Sequence, residues 1–361
     1  MELFVLDENF NSLYNLDVFE SLIWTERYNG CGNFEFYTPV NKEILEVVYA
    51  IQKKMESKID TYAWLKDSET TMIIEDLEIT TSIETGNHLI VSGRGLESIL
   101  DRRIIWDRTV LNSKLQYAIQ RLLNENVINP KIAERKIPNF TFLESTDEYI
   151  TSLKLSAQYT GDNLYSTLLE ICDVFQLGFD VSLDQNGNFV FMLKHGQDRS
   201  YDQDKNPYVI FSPKYENIIN SDYLESIKTL KNVTLVAGED SGDDRRRLVV
   251  GNASGFARRE TYTDARDIQS ETDDGNLSDA DYNSALEQRG NERLADHQYT
   301  KTFTGEIETS KTFVYNEDFF IGDVVQIVNE YGMESKVRVS EIVRVQDTTG
   351  YSTYPTFQVI E

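Results

Sequence analysis

The chain has 361 residues, of which 40% are hydrophobic and 27% charged, so we expect a folded protein of several packed domains. It carries 61 acidic residues against 35 basic ones, a formal net charge of -26. Because binding to nucleic-acid phosphates requires clustered lysine and arginine, this charge argues against a conventional nucleic-acid-binding protein. No apolar run approaches the ~20 residues of a membrane-spanning helix, and the opening MELFVLDENF lacks the features of a signal peptide. We therefore expect a soluble protein, synthesised in the cytoplasm, with no membrane-spanning segment.

The first region, residues 1–105, has the pattern of successive strands. Leu22 and Trp24 recur at every second position before a glycine-rich turn, and Phe34 and Phe36 do so after it. This alternation predicts a β-hairpin. Further strand-like runs follow at 72–84 and 88–95, and several short strands in succession predict a small antiparallel barrel.

The second region, residues 106–205, mixes helical and strand patterns. One helix is predicted to begin at Ser113 and to end at Asn129 and Pro130, and a second is predicted to be capped by Asp162 and to end at Gly178. The pair Asn186-Gly187 between two alternating runs predicts a hairpin. The sequence therefore predicts a mixed α+β domain here.

The third region returns to strand patterns at 206–254 and 301–361, and we assign both segments to a second β-barrel domain. Between them, residues 255–300 contain an acidic stretch and a helix predicted to be capped by Ser278 and to pack on the middle domain. The predicted fold class is therefore α+β, with two small antiparallel β-barrel domains and a mixed α+β middle or inserted domain.

The residues that usually carry chemistry form no known motif. The three histidines, His88, His195 and His297, lie far apart, and the two cysteines, Cys31 and Cys172, match no disulfide or zinc spacing. We expect no catalytic, cofactor-binding or metal-binding residue and hence no enzyme. Two alternatives stay open: a cell-wall hydrolase that uses carboxylates of the middle region, and a carbohydrate-binding adhesin that uses the many aromatic residues on β surfaces.

Three segments carry a resemblance to a known family. They are the opening LFVLDENFNSLYNLDVFESLIWTERYNGCGNFEFYTP, the run SGRGLESILDRRII, and the late run DFFIGDVVQIVNEYGMESKVRVSEI. With the order of strand-rich, mixed and strand-rich regions, they resemble the baseplate hub proteins of phage tails, including the amino-terminal hub portion of tail-associated lysins.

The resemblance implies architectural roles for residues in all three segments, as parts of an early hairpin, a turn after a strand, and the turn into a late barrel strand. These residues are Trp24, Arg27, Tyr28, Gly32 and Phe34 in the hairpin, Gly93 and Gly95 in the first turn, and Phe320, Gly322 and Asp323 in the second.

The resemblance also implies a structural subunit of the virion tail tip, in which a homotrimer forms a pseudo-sixfold ring below the tail tube. DNA would pass through the ring without sequence-specific binding, and we hypothesise that negative charge lining the channel keeps DNA from adhering. The implied partners are the distal tail protein, the tape-measure protein and other tail-tip or fibre proteins, with no cofactor. Because the sequence stops at Glu361, we expect the hydrolase extension of lysin-type relatives to be absent.

Overall fold

The structure, a computed structural model, describes residues 1–17, 19–84, 86–240, 245–272, 275–307, 312–332 and 334–360. Its architecture is mixed α+β with mostly antiparallel sheets, which confirms the predicted fold class at that level. The amino-terminal region contains β1 (Leu3–Leu6), β2 (Ser12–Leu16), β3 (Ser21–Arg27), β4 (Asn33–Pro39), α1 (Lys42–Glu56), β5 (Tyr62–Leu65), β6 (Thr70–Ser82) and β7 (Gly86–Gly95).

The middle region contains β8 (Thr109–Lys114), α2 (Leu115–Leu123), β9 (Phe140–Leu143), α3 (Glu148–Ser152), β10 (Lys154–Tyr159), α4 (Leu164–Val174), β11 (Gly178–Leu183) and β12 (Phe189–Lys194). The remainder contains β13 (Ile210–Phe211), β14 (Ile218–Ser226), β15 (Val233–Ala237), β16 (Arg247–Val250), β17 (Glu260–Asp264), β18 (Glu271–Thr272), β19 (Gly275–Asn276), α5 (Asp279–Ala295), β20 (Thr300–Ile307), β21 (Val324–Val328), β22 (Glu334–Asp347) and β23 (Gly350–Val359). Short 3-10 helices lie at Leu96–Arg102, Ala133–Arg135, Pro213–Tyr215 and Gly255–Ala257, and a π-helical turn at Asn124–Ile128.

The largest sheet passes through both strand-rich regions in the order β14-β20-β23-β22-β3-β4-β7-β6-β5-β1-β2. Strand β21 pairs with β22 beside this path, and β13 pairs with β21 in parallel. Among the described residues the pairings do not close this sheet on itself, so the two barrels stay a proposal.

The same strand order occurs twice in this sheet. In the first half, neighbouring strands run β3-β4-β7-β6-β5, and in the second half they run β14-β20-β23-β22-β21. The order along the chain also agrees. In each half, the five strands taken in chain order occupy the first, second, fifth, fourth and third places of the row. The long hairpin strands agree in detail: the ladder of β6 with β7 is irregular between Ile74 and Asp76, and that of β22 with β23 between Val339 and Glu341. The two halves are therefore topological repeats.

The two halves meet edge to edge through β22 and β3. The second part of β22 pairs antiparallel with β3, from Glu341 opposite Arg27 to Asp347 opposite Ser21. This joint explains why hydrogen bonding is continuous between segments more than 300 residues apart in the chain.

The sequence pattern predicted only strands in the first region, but the structure also has a helix there. Helix α1 follows β4, with the Asn41 side chain accepting a hydrogen bond from the backbone N–H of Ile44, and it buries Ile44, Val47, Val48 and Ile51. These apolar residues have the i, i+3, i+4, i+7 spacing of one helix face. The prediction was wrong here because strand patterns on both sides took precedence over this spacing.

The middle region contains the predicted helices and hairpin with small shifts at the helix starts. Helix α2 begins at Leu115 without a side-chain cap, and the side chain that caps α4 is Asn163 and not Asp162. The hairpin of β11 and β12 around Asn186-Gly187 is confirmed, and β9 joins it in parallel. This region shares one large apolar core with the 3-10 helix that follows β7.

Strands β15, β16 and β17 form a separate small sheet in the order β16-β15-β17. Helix α5 packs on it, capped by Ser278 as predicted, and Val236, Tyr282 and Leu286 lie in their shared core. Strands β15 and β16 thus lie outside the large sheet to which β14 belongs, so the division of 206–254 into domains stays a proposal. The acidic and then basic turn GEDSGDDRRR between β15 and β16 is predicted from its charge to be an exposed loop tip, and its residues 241–244 lie outside the described residues.

Candidate functional site

The early hairpin forms the centre of the amino-terminal half. Trp24 on β3 lies opposite Phe34 on β4, their ring centroids are 5.4 Å apart, and both side chains are buried. Alternation along the two strands points these rings to the same face, where they pack against the residues that α1 buries. Their place in the core is what the strand pattern predicts for large apolar residues.

Three glycines allow close backbone approaches within this hairpin and between the strands beside it. A Cβ atom on Gly93 would lie 1.8 Å from the carbonyl oxygen of Ile73, and one on Gly32 would lie 2.5 Å from that of Thr25. The backbone N–H of Gly95 donates to the carbonyl oxygen of Gly32 at 2.9 Å. Any side chain at Gly32 or Gly93 would therefore displace a neighbouring strand.

Tyr28, the residue that follows β3, links three regions of the chain. Its backbone N–H donates to the carbonyl oxygen of Ser340 in β22 at 2.9 Å. Its hydroxyl donates to the carbonyl oxygen of Lys194 at 2.9 Å and lies 3.2 Å from that of Gln176, both in the middle region. Burial raises the pKa of the Tyr28 phenol, so it stays a neutral donor. We call the contacts around this side chain the Tyr28 junction.

The late turn packs directly against the Tyr28 ring. Gly322 has a positive φ of 91°, and a Cβ atom built there would lie 2.3 Å from two carbons of the ring. The Arg338 guanidinium lies over the ring at 4.9 Å from its centroid, and its Nη1 donates to the carbonyl oxygen of Gly322 at 2.8 Å. The junction thus requires a glycine for both its backbone conformation and its space.

Asp323, the next residue, fixes the turn to the end of the middle region. Its carboxylate accepts from Nε of Arg199 at 2.7 Å and from the backbone N–H groups of Gln197 at 2.8 Å and Phe320 at 3.1 Å. The side chains of Asp323 and Arg199 are 4% and 9% exposed, so this hydrogen-bonded ion pair is buried. Phe320 contributes its backbone to the turn, whereas its side chain is 43% exposed.

Arg27 connects the hairpin to the joint between the halves. Its Nε donates to the Glu341 carboxylate at 2.8 Å, and its Nη1 donates to the carbonyl oxygen of Cys31 and to Oδ1 of Asn33. At the same joint, the buried Arg344 donates to Glu26, which also accepts from the hydroxyl of Tyr315 at 2.8 Å. The structure therefore brings Arg27, Tyr28, Gly322 and Asp323 to the region where the early hairpin, the middle region and the late turn meet. It leaves Trp24, Phe34 and Gly93 in the adjacent core.

Sequence reasoning missed several residues of this region. A Cβ atom on Gly178 would lie 2.1 Å from the carbonyl oxygen of Tyr28, and one on Gly196 would lie 1.8 Å from that of Gly322. Gly178 was predicted only as a helix stop, and no motif marked Gly196 or Arg338. Contacts between such distant segments leave no signal in the local pattern of a single sequence.

A buried acid also lies where the first and middle regions meet. Burial raises the pKa of Glu97 to about 8, and the neighbouring Asp180 carboxyl adds to the rise. The Cys31 thiol lies 3.7 Å from Oε2 of Glu97, and Asp180 pairs with Lys194 at 3.4 Å. Burial raises the pKa of the Cys31 thiol as well, so this cysteine lacks the thiolate character of a nucleophile.

The described residues contain no group of three His, Cys, Asp or Glu side chains placed to hold a metal ion. No helix in the described part of the chain is long and apolar enough to cross a membrane. The site is thus an arrangement of packed glycines, one aromatic ring and charged hydrogen bonds that joins three regions.

Solved structures define the class of fold. The chain resembles a tail protein from Neisseria meningitidis MC58, with 14% identity, a TM-score of 0.55, and coverage of 99% of this chain and 96% of that one. It also resembles the 43 kDa tail protein of prophage MuSo2 from Shewanella oneidensis, with 11% identity, a TM-score of 0.55, and coverage of 99% and 98%. Prophage tail protein gp18 from Listeria monocytogenes EGD-e has 11% identity, a TM-score of 0.53, and coverage of 99% and 94%. The fold is therefore that of phage tail proteins.

The family profile described as Siphovirus ReqiPepy6 Gp37-like protein matches residues 2–357, and the chain belongs to this family. No curated protein matches the sequence.

Proposed function

We propose that this protein is a structural subunit of a phage or prophage tail tip, a baseplate hub subunit that forms a trimeric ring at the end of the tail tube. The observation that carries this proposal is the repeated strand order of the two halves and their edge-to-edge joint through β22 and β3. A chain with two equivalent halves can supply two units per copy to a ring, so three copies would present six similar units to a sixfold tube. The fold shared with three tail proteins supports the same class.

In this proposal the Tyr28 junction keeps the middle region at a fixed angle to the sheet. Tyr28, which follows β3 of the first half, contacts both the second half of the sheet and the middle region. Its backbone N–H and its ring contact β22, and its hydroxyl contacts the end of β12. A ring subunit needs such rigidity, since small errors in angle accumulate around a closed ring. The roles of Trp24, Arg27, Gly32, Phe34, Gly93, Gly95, Phe320, Gly322 and Asp323 would be architectural in the same sense.

DNA would leave the particle through the ring without sequence-specific contacts, and we propose that part of the net charge of -26 lines the channel. The proposed partners are the distal tail protein above the ring, the tape-measure protein within the tube, and tail-tip or fibre proteins below. The proposed location is the virion tail tip, and no enzymatic step is proposed.

The test is the mass and shape of the full chain in solution, alone and together with the tail proteins encoded beside it. Light scattering and negative-stain imaging should show a threefold ring in at least one of these preparations. A chain that stays monomeric in all of them, and that clears cell walls or binds glycans, would replace the hub by a hydrolase or an adhesin.

A further inference from the structure

Each half of the sheet has two outer strand edges. In each half one of these edges pairs with the other half, and the remaining edge has no partner strand among the described residues. The second part of β22 pairs with β3 of the first half. The equivalent part of β6, from Asp76 to Thr80, pairs only with β7 among the described strands, and β5 covers only the part from Thr70 to Ile73. Conversely, β14 is equivalent to β3, yet its pairing in the described chain is with β20 alone.

From this difference we infer that β6 of one copy pairs with β14 of the next copy, repeating between subunits the joint that β22 makes with β3 within the chain. The inference deepens the proposed function and rests on it, because it assigns the strands that hold the ring together. The partner is a second copy of this chain. An unpaired strand edge carries a row of free N–H and C=O groups, which a strand of another copy running antiparallel to it can satisfy.

The repeat also fixes which residues would face each other. Position by position, Asp76 corresponds to Glu341 and Ile79 to Arg344, counted from the irregularities of the two ladders. Tyr223 corresponds to Trp24 by the same count across the sheet. Tyr223 pairs with Phe303, which pairs with Phe357 on β23. Trp24 pairs with Phe34, which pairs with Gly93, the position on β7 that is equivalent to Phe357. Since Arg344 faces Trp24 within the chain, Ile79 should face Tyr223 between copies.

The side chains of both edges suit this register. Ile79 and Leu224 are 44% and 51% exposed, so each edge carries a large apolar side chain that a partner strand would cover. In the inferred register Asp76 faces Ser226, Leu77 faces Glu225, Glu78 faces Leu224, Ile79 faces Tyr223, and Thr80 faces Asp222, so every acid lies opposite a neutral residue.

A slip of one residue in either direction destroys this arrangement. In one direction Glu78 would face Glu225, and in the other Asp76 would face Glu225. Two carboxylates directly opposite each other destabilise a strand pair. The charges therefore select the same register that the repeat predicts, although the two observations are independent.

The inferred contact is also of the kind that closes a ring. It joins two different surfaces, the β6 edge of one copy and the β14 edge of its neighbour, and such head-to-tail contacts form closed rings when the rotation between copies is suitable. Around the ring the joints would then alternate between β22 with β3 inside a copy and β6 with β14 between copies.

The test is disulfide trapping in the full chain. The variant Ile79→Cys with Tyr223→Cys is prepared reduced, assembled alone or with the neighbouring tail proteins, oxidised, and separated without reductant, while light scattering records the oligomer. Ile79→Cys with Leu224→Cys is the matched control, because Leu224 is adjacent and exposed but its side chain points to the opposite face of the strand. The unmodified chain controls for Cys31 and Cys172.

We expect covalent multimers up to the ring size from the Ile79→Cys/Tyr223→Cys variant and mainly uncrosslinked chain from the control. An oligomer that forms while the two variants crosslink equally or not at all would overturn the inferred interface and leave the proposed ring in place. If no oligomer forms in any preparation, the proposed function fails and the interface fails with it.

Discussion

A Cβ atom on Gly322 would lie 2.3 Å from Cδ2 and Cε2 of Tyr28, residues almost 300 positions apart in the chain. This close approach brings the late turn against the hairpin of β3 and β4, and the Arg338 guanidinium lies over the same ring at 4.9 Å from its centroid. The relationship makes position 322 a sensitive probe of how the two halves and the middle region are held together.

Replacement of Gly322 by alanine should therefore destabilise the protein strongly. The methyl group would clash with the Tyr28 ring and the residue would keep a positive φ of 91°, so we expect a loss of about 3 kcal/mol or more in the free energy of unfolding. Gly161→Ala is the matched control, because its φ is +81° and no atom lies within 4 Å of the added carbon. Denaturant unfolding of both variants measures the difference, and equal losses would show that the Tyr28 contact contributes nothing.

Loss of the Asp323 carboxylate should leave Arg199 as an unpaired buried charge. The two side chains are 4% and 9% exposed, so Asp323→Asn should cost about 3 kcal/mol in the free energy of unfolding. The exposed pair of Lys131 and Asp107 is the comparison, and Asp107→Asn should change stability little. Both are measured by chemical denaturation, and similar effects for the two pairs would contradict the importance of burial.

The joint between the halves should depend on the buried ion pair of Arg344 and Glu26. Glu26→Ala removes the carboxylate that accepts from Arg344 and from Tyr315, and we expect a loss of about 3 kcal/mol because the guanidinium stays buried. Adding Arg344→Met should recover part of this loss, since it removes the unpaired charge while keeping apolar volume. A double variant that is as unstable as the sum of the two single variants would show that the pair is not coupled.

Stability should fall as the pH rises toward alkaline values. The Glu97 carboxyl has an ordinary pKa of 4.5, which burial beside Asp180 raises to about 8 in the folded chain. Between these values the folded chain keeps a proton that the unfolded chain has released, so the free energy of unfolding decreases with rising pH and levels off above about 8. Glu170, whose pKa burial raises to about 7, adds to the same trend.

Thermal unfolding across this pH window measures the effect. Glu97→Gln should give a shallower decrease than the unmodified chain, because the amide cannot release a proton, with the remaining slope due in part to Glu170. A profile for Glu97→Gln that runs parallel to that of the unmodified chain would rule out Glu97 as a source of the pH dependence.

The sequence by itself determined the local elements wherever the pattern was unambiguous. The alternation of Leu22, Trp24, Phe34 and Phe36 predicted the hairpin, Asn186-Gly187 predicted the turn of β11 and β12, and Ser278 predicted the start of α5. These features depend on the turn and capping preferences of neighbouring residues and on side chains that alternate between two faces, all of which a short segment carries. Helix α1 was the exception, since its four buried residues were read as part of a strand-rich region.

The tertiary structure alone decided how these elements combine. Only the pairing of β22 with β3 makes the two halves one sheet, and only the folded chain brings Gly178, Gly196 and Gly322 against Tyr28 or against each other. Such contacts join residues separated by one hundred to three hundred positions, and they depend on shape and on free strand edges, which no local preference encodes. For the same reason the repeat of the two halves became visible in their strand order and not in their amino acids.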